Sequence, residues 1–259
     1  MKKYPTDLTD SQWNHIKDLF PLPKATGRPR EVDFRQIVNA VLYLVFTGCQ
    51  WRFLPKDYPH WRTVYGYFQT WKDDGRWYRI HETLRSEVRI KKGKHKHPTA
   101  GSIDSQSVKT TSIPNSRGFD AGKKINGIKR HLLVDTLGLI ITLIVTTADL
   151  QDRDGAKKLM KTFGIHRKKL RKVWVDGGYR GELLKWVKRK FRYYLEVVLR
   201  SDDMKGFVVL PKRWVVERTF AWLGNHRRLS KDYERHIKTS ETIIQLAMIR
   251  LMLRRLKPL

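Results

Sequence analysis

The chain carries a single cysteine, Cys49, comparatively few carboxylates and no long apolar run. One thiol rules out an internal disulfide and a cysteine-cluster zinc site. The longest apolar stretch, AVLYLVFTGCQW at 40–51, falls short of the ~20 residues that span a bilayer. The opening segment MKKYPTDLTD lacks the apolar centre of a secretory signal, so the expected location is the cytoplasm. Negative charge is the scarcer kind: 25 Asp and Glu stand against 54 Lys and Arg, a formal net charge of +29. Such an excess is costly in self-repulsion and is relieved by a polyanion, so the expected partner is nucleic acid.

What is present is globular. Of 259 residues, 40% are hydrophobic and 31% charged, enough for one sizeable core with a smaller domain attached. Residues 8–87 read as helical. LTDSQWNHIKDLF opens with Thr9 or Asp10 as N-cap, followed by Trp13, Ile16, Leu19 and Phe20 at helical spacing. FRQIVNAVLYLVFTG places Ile37, Val41, Leu44 and Val45 on one face and stops at Gly48, while HWRTVYGYFQTW aligns Trp61, Val64, Phe68 and Trp71. The basic, glycine-interrupted stretch at 89–101 reads as a linker between a helical domain, 1–88, and a second domain, 102–259.

The second region changes pattern. SIDSQSVKTT reads as a strand and KRHLLVDTLGLIITLIVTTAD as a hairpin turning around Asp135–Gly138. A helix (DRDGAKKLMKTF), a strand (KVWVDGG), a helix (GELLKWVKRKF), a strand (YYLEVVLRS) and a last helix (KRWVVERTFAWL) follow. That order predicts an α/β layered domain with a mixed sheet. Asp104 falls on its first strand. Asp176 ends a later strand, where open α/β sheets commonly gather their sites. In the last helix Val216, Phe220 and Leu223 share a core face, and Glu217 lies at its edge in a stripe with Arg213, Gly224 and Arg228. Glu217 is thus either a salt-bridge partner of Arg213 at i−4 or the third member of a carboxylate cluster with Asp104 and Asp176. Such a cluster suits Mg²⁺ or Mn²⁺, since hard oxygens hold these ions and leave positions open for phosphate and water. Two such ions clamp the attacking and leaving oxygens of a phosphodiester displacement.

Several longer strings carry a resemblance: IDSQSVKTT, RGFDAGKKINGIKRHLLVDTLGLI, TTADLQDRDGA, VDGGYRG and PKRWVVERTFAWLGNHRRLSKDYE, with LTDSQWNHIKDLFP and GRPREVDFRQIVNAVLYLVFTGCQWRFLP before them. Together they resemble insertion-sequence transposases of the IS5 type, within the wider IS4-like group of DDE enzymes. The resemblance implies an RNase H-like catalytic core after a small all-helical domain, with Asp104, Asp176 and Glu217 as the catalytic, metal-binding triad and two Mg²⁺ or Mn²⁺ ions. It implies cleavage at element ends, joining of the 3′-hydroxyls to target DNA, recognition of terminal inverted repeats by the helical domain, and at least a dimer on double-stranded DNA. The wider group's signature around the glutamate runs Tyr, Arg, Glu, Lys. Here Arg213 and Glu217 fit it, Leu210 stands at the Tyr position and Gly224 at the Lys position. Arg227, Arg228 or Lys231 is left to take the phosphate-binding part of that Lys, Lys231 only if the helix continues past Gly224.

Further DNA contacts are expected from Arg28 and Arg30 in GRPR, an arm suited to the minor groove, and from Lys123, Lys124 and Arg130 on the approach to the hairpin, where Lys129 adds to the basic charge. Arg213 is expected at the DNA as well. His95 and His97 lack a third ligand and read as solvated. Among Asp149, Asp152 and Asp154, helix capping is preferred to a second acidic site. Two rivals share the composition: a nuclease of the same fold that cuts without joining, and an inactive transposase-derived DNA-binding protein. The presence of all three acids argues against the second.

Overall fold

The computed structural model describes residues 4–22, 31–111, 117–162, 169–199 and 212–258. The chain divides into two compact units. The first contains Met1–Val88, Asn225–Ser230 and Thr242–Leu259, and the second Arg89–Gly224 and Lys231–Glu241.

The first unit is helical: α1 (Asp10–Ile16), α2 (Phe34–Thr47), α3 (Trp61–Asp73) and most of α4 (Arg76–Lys91). Thr9 and Gln12 form a reciprocal capping box that satisfies two orphan amides at the start of α1. At the other end of α2, Gly48 adopts a φ of 75°, the left-handed turn that closes a helix. The core is aromatic. Trp71 meets Phe20, Phe34 and Trp77 at ring separations of 4.7, 5.0 and 5.2 Å, edge or tilted contacts that favour ring quadrupoles. Phe68 and Trp71 are therefore core residues, as their spacing predicts, whereas Tyr65 is partly exposed.

The second unit is a six-stranded sheet with helices. Strands β1 (Ala100–Lys109), β2 (Gly118–Asp120), β3 (Ile125–Asp135) and β4 (Ile140–Thr147) form its antiparallel part, and β5 (Lys172–Val175) and β6 (Tyr194–Val197) add in parallel. Along the main path the order is β2-β3-β1-β5-β6, and β4 pairs with β3 off that path. The parallel strands are joined through α5 (Asp152–Thr162) and α6 (Glu182–Phe191), as parallel pairing requires crossovers. Ile103, Leu133, Val173 and Val175 from the sheet bury against Leu159, Leu183 and Val187 from these helices. Gly155 lets α5 lie directly on the ring of buried His131; a Cβ there would fall 2.0 Å from its Cε1. Helix α7 (Trp214–Gly224) contacts β1 and β3. The expected α/β architecture with a mixed sheet is present, as is the helical N-terminal region.

Elements run across the expected boundaries. The stretch 89–101 is not simply a linker: α4 runs through Lys91 and β1 starts at Ala100. Arg89 and Lys91 sit in the last turn of α4, where cations favour the helix dipole. Residues 225–230 and 242–259 group with the N-terminal helices rather than with the sheet. They include most of α8 (Ile237–Leu256), which, like β2, is an element the expected order lacks. Ile243, Ile244, Leu246, Ala247, Met248 and Ile249 are all buried, so α8 is covered on several sides and shows no single apolar stripe. Among the described residues no helix is long and apolar enough to cross a membrane.

Candidate active site

Strand register brings the two aspartates together. Strand β5 runs parallel to β1 with Gly101 beside Val173 and Ser102 beside Trp174. Carried on in phase, that register sets Asp104 beside Asp176, just past the end of β5. The two side chains are fixed by the same device. The Ser105 amide donates to Asp104 Oδ1 at 2.7 Å, and the Gly178 amide donates to Asp176 Oδ1 at 2.8 Å. In each case Oδ2 is left to face Arg213. Asp176 also caps the short 3₁₀ turn Gly177–Tyr179. The glycines after Asp176 do not serve a left-handed backbone, because the positive φ in this loop belongs to Gly181. At Gly178 the missing side chain leaves room for the Asp176 carboxylate, which a Cβ would meet at 3.0 Å.

Helix α7 delivers the glutamate and is bolted to the sheet at several points. Ser102 Oγ donates to the Lys212 carbonyl at 2.8 Å, at the entry to the helix. Thr219 Oγ1 donates to the Gly138 carbonyl at 2.8 Å, and Arg218 Nη2 to the Leu137 carbonyl at 3.1 Å, both in the β3–β4 turn. The Arg218 guanidinium lies between the rings of Trp214 and Trp222, at 4.3 and 4.6 Å. Val216 and Leu223 face the core as predicted, which holds Glu217 at the margin.

All three acids surround one nitrogen. Arg213 Nη2 lies 3.3 Å from Asp104 Oδ2, 3.8 Å from Asp176 Oδ2 and 3.5 Å from Glu217 Oε1. The salt-bridge reading of Glu217 is the one the contacts realise: it pairs with Arg213, whose guanidinium also faces the two aspartates. Burial pushes the Asp104 carboxyl up to about 6, although the Ser105 amide and Arg213 favour its charged form. Tyr179 is buried beside Asp104, Asp152 and Asp176, and burial and those charges hold its hydroxyl well above its usual value. A second polar network lies behind. Lys129 Nζ bonds the Leu150 carbonyl at 2.9 Å and pairs with Asp152 at 3.0 Å and Asp120 at 3.3 Å. Ser105 Oγ donates to Asp152 at 2.7 Å. Sequence reasoning misses this network, and only the density of polar residues in IDSQS and DLQDRD hints at it.

The basic residues separate into two groups. Lys123, Lys124 and Lys231 are exposed, and the Lys123 charge is felt at Asp104. Arg130 and Arg228 are corrected: they are 2% and 7% exposed, so they offer DNA no surface. Arg130 sits on β3 with Asp232 nearby, and Arg228 Nη1 donates to the Cys49 carbonyl at 3.0 Å. Lys129, beside Arg130 on β3, is also buried and engaged in its polar network. Helix α7 ends at Gly224, so Lys231 does not continue its stripe, while Arg227 is exposed. Arg28, Arg30 and Leu210 lie outside the described residues. His95 is exposed, and its carbonyl accepts from Arg89 Nε at 2.8 Å. Asp152 is tied to Ser105 and Lys129 rather than to a second acidic site with Asp149.

Grouped around the guanidinium, these carboxylates stand apart. Among the described residues no three His, Cys, Asp or Glu side chains close into a group that could hold an ion as placed. The donor chemistry nevertheless fits a divalent cation. Each of the three carboxylates around Arg213 offers the hard oxygens such an ion takes.

Comparison with known proteins agrees with this layout. A family model described as a transposase DDE domain matches residues 95–252, and one described as "Putative transposase of IS4/5 family" matches residues 8–81. The chain is similar to the "Putative transposase for insertion sequence element IS402" of Burkholderia cepacia, with 31% identity over 116 residues. That stretch covers 42% of this chain and 54% of that protein, so the chain spans about half the length of this curated relative. With the DDE domain model spanning more than half of its residues, the chain belongs to the DDE transposase family.

Proposed function

We propose that the chain is an insertion-sequence transposase that binds the ends of its element, hydrolyses phosphodiesters there and joins the freed 3′-hydroxyls to target DNA. Family membership supports this reading, and the observation that carries it is the convergence of Asp104, Asp176 and Glu217, from three separate elements, on one positive centre. Asp104, Asp176 and Glu217 would hold Mg²⁺ or Mn²⁺, two ions in all. Bound there, such ions supply charge neutralisation and orientation to an in-line phosphoryl displacement.

The chain's own residues have distinct parts. The Ser105 and Gly178 amides fix one oxygen of each aspartate, so both carboxylates are oriented before any ligand arrives. Tyr179 is buried, and burial raises its hydroxyl pKa above the usual value. Ser105 Oγ is engaged with Asp152. Direct attack by water and then by a 3′-hydroxyl therefore suits the site better than a covalent protein intermediate. Lys123, whose charge is felt at Asp104, and the exposed Lys124 position the DNA backbone through phosphate contacts, and the helical unit reads the terminal repeats. Two ends handled together call for at least a dimer on DNA.

Incubating the full chain with Mg²⁺ and labelled element ends tests the reading. Strand-transfer products are expected. Cleavage without joining would make the protein a nuclease of the same fold, and binding without cleavage would make it an inactive descendant.

A further inference from the structure

Arg213 occupies the point that the three acids share. The oxygens it faces, Asp104 Oδ2, Asp176 Oδ2 and Glu217 Oε1, include the ones left free once backbone amides have taken Asp104 Oδ1 and Asp176 Oδ1. A divalent cation held by the triad needs the same oxygens. A guanidinium and such an ion repel strongly at separations of a few ångströms in a half-buried site, so they compete for them.

Two further observations mark Arg213 as set in place yet releasable. The backbone that delivers it is constrained: Lys212 has a φ of 69°, in the left-handed region, and its carbonyl is held by Ser102 Oγ at 2.8 Å. Among the described residues, the side chain's ion-pair and hydrogen-bond contacts are to the acids. Its Nε is buried without a hydrogen-bond partner. A planar guanidinium with unused donors is well matched to a phosphodiester, which offers paired acceptor oxygens.

We infer that Arg213 is an internal counter-ion: it holds the metal-free triad together, competes with the divalent cation for the carboxylates, and gives them up when a DNA phosphate offers it another anion. The inference rests on the proposed metal-binding role of the triad. Removing the arginine then has two opposite effects. The metal-free protein loses stability, because three carboxylates are left facing one another. Metal affinity in the absence of DNA rises, because the competitor has gone. In the native protein the same competition makes DNA and metal assist each other's binding.

The test is a Mn²⁺ titration of the full chain without DNA, followed by electron paramagnetic resonance, paired with thermal melts in EDTA and in Mn²⁺. Arg213→Gln should bind Mn²⁺ on the order of tenfold more tightly than the native chain, within the range typical of coupled sites. It should also melt lower in EDTA and show a larger Mn²⁺-induced rise in Tm. Arg213→Lys keeps the charge and loses the fork, so it should fall between the two; it carries the test if the Gln variant does not fold. Variants that bind Mn²⁺ no better than the native chain, while Asp104→Asn binds it worse, would overturn the inference and leave the triad standing. If Asp104→Asn binds Mn²⁺ as well as the native chain, the metal-binding reading itself falls, and this inference with it.

Discussion

Gly155→Ala sets two physical effects against each other. In a helix, alanine is favoured over glycine by ~1 kcal/mol, so propensity alone makes the substitution stabilising. The structure says the reverse. A Cβ at 155 would lie 2.0, 2.4 and 2.5 Å from Cε1, Nδ1 and Nε2 of His131, far inside any real contact. The ring cannot easily retreat, because it is fully buried and its Nε2 is 3.0 Å from Thr146 Oγ1. Either α5 lifts from the sheet or His131 leaves its place, and overpacking of this kind costs ~1–3 kcal/mol. With so large a deficit the upper end applies, giving a net loss of about 2 kcal/mol in urea unfolding. The effect should reach the active site, since Arg153 of α5 donates to the Gly178 carbonyl at 2.7 Å in the loop that carries Asp176. Shrinking the partner isolates the cause. In a cycle with His131→Ala, the alanine at 155 should cost at least ~1 kcal/mol less than it does against histidine. A Gly155→Ala protein as stable as the native chain, or more so, would refute the packing argument.

Other outcomes follow from the same geometry. Asp104→Asn, Asp176→Asn and Glu217→Gln should each abolish cleavage while DNA binding persists in a gel-shift assay; full cleavage by one variant would remove that residue from the site. Lys123→Ala with Lys124→Ala should weaken binding evenly across DNA sequences and flatten the log–log salt slope by ~0.9 for each phosphate no longer neutralised; an unchanged slope would take them off the DNA surface. Burial drives His131 from its ordinary 6.5 down to about 4. The unfolded chain therefore takes up this proton at a higher pH than the folded one, so the associated stability is complete above 6.5 and lost as pH falls towards 4. The loss is about 3 kcal/mol at most, and His131→Asn should flatten the stability profile in that window. Thr219→Val should cost ~1–3 kcal/mol by leaving the buried Gly138 carbonyl unpaired, and should lower cleavage more than DNA binding, because Glu217 loses an anchor.

The parts of the site legible in the sequence are those governed by local rules. Asp176 follows a short β-branched run and precedes glycines, so its place at a strand end can be read directly. Helical periodicity places Glu217 at the edge of a core face. What escapes depends on partners distant in sequence. Arg130 lies on β3, a strand paired on its flanks and buried over most of its length, where a basic residue looks solvent-facing until the covering elements are known. By periodicity Arg228 continues α7, but the helix stops at Gly224 and the chain passes into the other unit. The central position of Arg213 follows only from the coincidence of β1, β5 and α7. For α8, burial on several sides erases the periodic stripe that marks a surface helix.

If Asp104, Asp176 and Glu217 form one metal-binding centre, affinity cleavage reports on all three at once. With Fe²⁺ in place of Mg²⁺ and with ascorbate and peroxide added, radicals formed at the bound iron cut the nearby backbone. Cuts are expected in three separate segments, around 104, 176 and 217, all suppressed together by excess Mg²⁺ and lost in Asp104→Asn. Cuts confined to one of these segments, or persisting unchanged in Asp104→Asn, would contradict a shared centre.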